Sequence, residues 1–193
     1  MAGQAEKAGG ARWRRVLWGG AALLWLMPLV AMLVTDEMNW DETDFIVFGA
    51  MLAAACGAYE LATRMTGSAA YRIGAGVAIV AAFLLVWINL AVGIIGSEDN
   101  PANLMFGGVL LVGIVGAALA RLQPPGMARA LVAMALTQVV AAAVALAFGW
   151  GSEGENWPRV IVVINGFFAA LWLVSALLFR RAARENPPSA VAP

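Results

Sequence analysis

The sequence predicts an all-α membrane protein, built from six transmembrane helices as three consecutive hairpins, with both termini in the cytoplasm. Three observations predict it. Hydrophobic residues make up 62% of the 193-residue chain and charged residues only 12%, about half the charge of an ordinary soluble domain. The apolar residues gather into six stretches, each close to the ~20 residues a helix needs to cross a hydrocarbon core about 30 Å thick. Finally, basic and acidic residues alternate between the short segments that join those stretches.

The predicted spans are residues 16–34, 45–63, 73–96, 104–120, 130–149 and 160–179. They form one membrane domain over 16–183, flanked by cytoplasmic tails at 1–15 and 184–193. Each span is expected to be helical, because lipid offers the backbone no hydrogen-bond partner and a helix satisfies its own. The first apolar run follows Arg12, Arg14 and Arg15 in the manner of a signal peptide. Val16 to Val34 is longer than a typical signal core, however, and no small-x-small site precedes Thr35, so it reads as a retained span. Pro28 lies inside it and is expected to kink it, which membrane helices tolerate.

Orientation follows from charge. The tails and the segments around Arg64 to Arg72, Arg121 to Arg129 and Arg180 to Arg184 carry 11 basic and 3 acidic residues, counting Glu60 with them. The alternate segments carry Arg159 alone against 9 acids: Asp36, Glu37, Asp41, Glu42, Asp44, Glu98, Asp99, Glu153 and Glu155. Basic loops stay in the cytoplasm, so the acidic loops are expected outside. A formal net charge of +0 thus conceals a strong asymmetry across the membrane. Trp13 and Trp18 fall at the expected inner interface and Trp40, Trp150 and Trp157 at the outer one, where an amphipathic ring is favoured. Phe48-Gly49, Phe106-Gly107 and Asn165-Gly166 recur at similar points of the three hairpins. This is the spacing of a triplicated unit, and equally that of any six-span chain with short loops.

Absent residues exclude several chemistries. There is no histidine, the one cysteine is Cys56 within an apolar run, and no lysine follows Lys7. Internal disulfides, Cys/His zinc sites, paired-histidine haem ligation and a Schiff-base chromophore within the bundle are therefore ruled out. No cofactor, enzymatic activity or nucleic-acid partner is expected.

The candidate binding residues are polar groups in or beside the spans. Glu60 is the acidic residue placed within a span, where a carboxylate suits a proton or cation relay. It also lies near the cytoplasmic interface, four residues before Arg64, in the favourable order for a helix ion pair; the pair is the expected outcome. Asn89, Gln138 and Asn165 either line a cavity below the acidic loops or join helices by hydrogen bonds, the latter being the commoner use. Asp41 and Asp44 in one acidic segment, with Asp99 and Asn103 in the next, supply oxygen ligands of the kind calcium takes. Their spacing matches no calcium loop, and a solvated acidic rim is expected from the topology alone. Gly49, Ala53 and Gly57, and likewise Gly74, Ala78 and Ala82, form small-residue faces that allow close helix approach.

The stretch Trp87 to Gly108, and within it GIIGSEDNPANL from Gly93 to Leu104, resembles a segment of small multi-pass inner-membrane proteins of bacteria whose function is unassigned. The resemblance implies a bacterial inner (plasma) membrane and carries no catalytic residue across. The expected function is a non-enzymatic scaffold or accessory subunit that packs against other membrane proteins or its own copies within the lipid bilayer. The alternative is a small transporter or channel for cations or small solutes, with the acidic loops as its outer vestibule.

Overall fold

In a computed structural model the described residues are 2–35, 39–65, 68–154 and 156–185. Their regular structure is helical: α1 (Ala2–Val34), α2 (Glu42–Met65), α3 (Ala69–Ala91), α4 (Met105–Leu119), α5 (Pro124–Ala147) and α6 (Arg159–Glu185), with a short 3-10 turn at Pro101–Leu104 before α4. Six helices are long and apolar enough to cross a membrane. Many large apolar side chains remain exposed along them, among them Leu23, Leu33, Ile46, Leu111, Ile114 and Leu177. In water this surface would be prohibitive; in a bilayer it is the surface that lipid wets.

The helix ends follow from local chemistry. α1 runs unbroken through Pro28 and extends N-terminal of the expected span. α3 stops at Ala91, short of the expected Gly96, because Gly93 and Gly96 take φ of +69° and +73°. At Gly93 a Cβ would lie 2.4 Å from the Ser97 carbonyl. Only a glycine admits that turn. α5 begins on Pro124, whose missing N–H costs nothing in the first turn.

The chain divides into two compact units, residues 1–61 and 62–193. The first holds α1 and most of α2, which run antiparallel and touch through large side chains. Arg14 meets Glu60 at one end, and Trp25 donates to the Phe45 carbonyl (2.9 Å) towards the other. Trp25 also covers Gly49, where a Cβ would stand 2.9 Å from the indole nitrogen.

The second unit carries the continuous core. α6 packs along both α5 and α3, and α4 packs on α5; α3 and α4 barely meet. The third span is thus partnered chiefly by the sixth, a pairing that charge alternation along the chain does not reveal. Glycines set the close approaches: a Cβ at Gly116 would lie 2.5 Å from that of Ala130, and at Gly74 3.1 Å from that of Leu178. Tyr71, Leu85, Phe106, Phe168, Trp172 and Phe179 fill the centre with almost no exposure.

Candidate functional site

The expected polar groups fall into five sets of contacts. The deepest is on α5 and α6, where Gln138, Asn165 and Trp172 are fully buried. Trp172 Nε1 donates to Gln138 Oε1 (3.4 Å), Gln138 Nε2 to Asn165 Oδ1 (2.8 Å), and Asn165 Nδ2 to the Ile161 carbonyl of its own helix (2.8 Å). The donors all point along the chain towards a backbone carbonyl, so each carbonyl oxygen of the two amides accepts one bond. Such a relay joins two helices, and leaving any member unpaired in apolar surroundings costs more than the bond itself contributes.

Asn89 is not part of this group. Its Nδ2 bonds the Leu85 carbonyl one turn back (2.7 Å), and its buried Oδ1 has no partner. The indole nitrogen of Trp157, just ahead of α6, is buried without a partner too. The intramembrane amides therefore do not form one lined path.

Asn103 is the organiser of the loop between α3 and α4. Its Oδ1 accepts from the backbone N–H of Ile94 (3.0 Å) and Ile95 (2.9 Å), while its Nδ2 donates to the carbonyls of Ile95 (3.4 Å) and Ser97 (2.7 Å). One buried amide thus satisfies the backbone that the glycine turns free from the helix. Asn100 accepts from Ala102 N–H (3.0 Å) and starts the 3-10 turn. Asp99 stays exposed on the loop surface.

Asp41 and Asp44 form a reciprocal cap on α2. Asp41 Oδ1 accepts from Thr43 N–H (2.7 Å) and Asp44 N–H (3.0 Å), and Asp44 Oδ2 accepts from Asp41 N–H (3.0 Å). Two carboxylates at the positive end of a helix dipole are stabilised there without a metal. Among the described residues no group of three or more His, Cys, Asp or Glu side chains is arranged to hold a metal ion. Asp36, Glu37 and Glu155 lie outside the described residues.

Glu60 is partly buried, with a side-chain exposure of 13%. Its carboxylate takes Arg14 Nε at 2.7 Å and Trp18 Nε1 at 3.3 Å, both from α1, and Trp13 of the same helix packs on neighbouring Tyr59. The spacing to Arg64 on the same helix does not announce this contact: Arg14, from a different helix, meets the carboxylate. Arg14 and Glu60 both belong to the arginine-rich end by charge, which is the signal that could have linked them.

Two other contacts were not expected. Ser175 Oγ, fully buried on α6, donates to the Gly74 carbonyl of α3 (2.7 Å), and Tyr71 donates its hydroxyl to the Leu122 carbonyl in the α4–α5 turn (2.8 Å). The close approach at Gly74 was legible as a small-residue face, but its serine partner, 101 residues away, was not. No protein-family model, curated protein or solved structure matches the chain.

Proposed function

We propose that the protein is a non-enzymatic scaffold or accessory subunit of the bacterial inner membrane, with both termini cytoplasmic, which packs against other membrane proteins or its own copies. The observation that carries this reading is the use of the buried polar side chains. Asn103, Gln138, Asn165 and Ser175 are the buried polar residues among those described, and each is bonded to backbone or to another helix. A transport path needs polar groups that can exchange partners with a passing solute. Groups committed to holding helices together are poorly suited to that. The glycine-lined contacts within the second unit and the apolar faces left open on every helix also favour packing over chemistry. The charge asymmetry between loops supports the orientation, and the resemblance of Gly93 to Leu104 supports the bacterial membrane.

The transporter alternative rests on the acidic outer loops and the unpartnered Asn89 oxygen. Reconstitution separates the two. Purified protein in liposomes loaded with a cation-sensitive dye is expected to leak no faster than empty liposomes. Gentle detergent extraction is expected to bring a defined membrane protein, or a homo-oligomer, in fixed ratio with the chain. Cation flux that scales with protein and falls in an Asn89→Leu variant would replace the scaffold reading with transport. Reporter fusions after Asn100 should read outside and fusions after Pro125 inside; one reversal removes the proposed orientation.

A further inference from the structure

The arginine-bearing end of the second unit has more positive charge than its own fold uses. Glu185 is the carboxylate at this end in the second unit, and it is already engaged: Arg181 Nε binds its Oε1 (3.0 Å) and Ser68 Oγ its Oε2 (2.9 Å). Arg180 and Arg184 are exposed on the last two turns of α6, and neither has a carboxylate partner among the described residues. Arg121 is exposed on the α4–α5 turn. The Tyr71 hydroxyl, bonded to the Leu122 carbonyl, ties that turn to α3, and the Tyr71 ring lies edge-on to Phe179 of α6 (4.8 Å). The three free guanidinium groups are thereby held at one end of one packed body.

What lies beneath Arg180 and Arg184 identifies the ligand class. At 3.6 residues per turn, Leu173, Leu177, Arg180 and Arg184 fall within about 60° of one another around the helix axis. All four are exposed, Leu177 at 61% and Leu173 at 46%. Leu173 sits roughly 10 Å below Arg180 at 1.5 Å per residue, within the ~15 Å depth of one leaflet. Facing away from the core, this strip thus places two cations at headgroup level above an apolar surface of acyl-chain depth. A free anion has no use for the leucines. A zwitterionic lipid brings a cation of its own beside its phosphate, which two arginines repel.

We infer that this face of α6 is a binding site for an anionic phospholipid, with the headgroup phosphate held by Arg180 and Arg184 and an acyl chain lying along Leu177 and Leu173. The inference goes beyond the scaffold reading and does not depend on it. Each cation near an anionic headgroup adds about fivefold in affinity, so the pair adds about 30-fold.

The test uses the full chain in a neutral detergent, titrated with phosphatidylglycerol, phosphatidylcholine or inorganic phosphate and read by native mass spectrometry. Phosphatidylglycerol is expected to stay bound at a concentration at least tenfold lower than phosphatidylcholine. Arg180→Gln with Arg184→Gln should erase most of that preference. Arg159→Gln, at the opposite end of the same helix, should preserve it and serves as the matched control for folding. Leu173→Asn with Leu177→Asn should weaken phosphatidylglycerol while leaving any binding of inorganic phosphate unchanged. The inference is overturned by equal retention of the two lipids or by an undiminished preference in the double arginine variant. It is also overturned if inorganic phosphate competes as well as the lipid, which would mark a simple anion site, or if a second copy of the chain occupies the face and excludes lipid.

Discussion

The two compact units use similar apolar helices in opposite ways. In the first, α1 buries only 6% of its apolar stretch, whereas α5 and α6 in the second bury 39% of theirs. The first unit is joined by large aromatic side chains and by charge: Trp25 on Gly49 and Phe45, Trp40 against Phe45 and Phe48, Arg14 on Glu60. The second is joined by small residues that let backbones approach and by polar groups buried between them. Since lipid is as apolar as leucine, hydrophobicity alone does not drive helices together in a membrane. Shape and buried hydrogen bonds decide which helices form a core, and these are concentrated in the second unit.

The sharpest way to break this contrast is to remove a tryptophan from each unit. Trp172→Ala should empty a fully buried site and strand the Gln138 amide, costing about 3 to 5 kcal/mol. Trp25→Ala, at a ring that is 40% exposed, should cost about 1 kcal/mol through its single hydrogen bond to Phe45. Thermal melting of the two variants in the same detergent checks the order; equal shifts would mean that the units are held alike.

The polar anchors give the next comparison. Asn103→Ala removes four hydrogen bonds from a buried loop, and the backbone groups it strands should cost about 2 to 3 kcal/mol. Asp41→Ala removes an exposed helix cap worth about 1 kcal/mol. Hydrogen exchange should show the Asn103 variant losing protection at Ile94 and Ile95, and the Asp41 variant losing it at Thr43 and Asp44.

Glycine replacements sharpen the contrast further. Gly116→Ala would push a methyl to within 2.5 Å of Ala130, and overpacking of this kind costs about 1 to 3 kcal/mol. At Gly57 an added Cβ meets nothing within 4 Å, so Gly57→Ala should be neutral or gain up to about 1 kcal/mol from helix propensity. A drop in melting temperature for Gly57→Ala would reveal that another molecule covers this position.

The smallest effect is expected at Glu60. Arg14 is 58% exposed, so Glu60→Gln should cost no more than about 1 kcal/mol. It should leave the expression level and any cellular phenotype nearly unchanged. A stable variant with a lost phenotype would restore Glu60 as a relay carboxylate.

Much of the architecture was readable one residue at a time. Length and hydropathy located six helices, and the end of α3 was misplaced by only five residues. The difference has a physical origin: Gly93, Ile94, Ile95 and Gly96 are as apolar as a helix interior, and it is the two positive-φ glycines together with the Asn103 side chain folding back on the loop that make a turn the better conformation. The site residues were less legible. Asp41 and Asp44 carry the spacing of a helix cap, yet side by side in an acidic segment they resemble a cation site as well. Gln138 and Asn165 were recognised as groups that join helices, but sequence gave no sign that they join each other, still less that Asn89 stands apart.

The sequence by itself determined that this chain belongs in a bilayer and where its helices lie, because the costs of exposed apolar surface and unpaired backbone are paid locally, segment by segment. Only the tertiary structure decided that α6 is the common partner of α3 and α5, that Glu60 meets Arg14, and that Arg180 and Arg184 stand above an open leucine strip. Those outcomes depend on which helix faces which, and contacts between residues 27 to 101 positions apart leave no periodic trace in the chain that forms them.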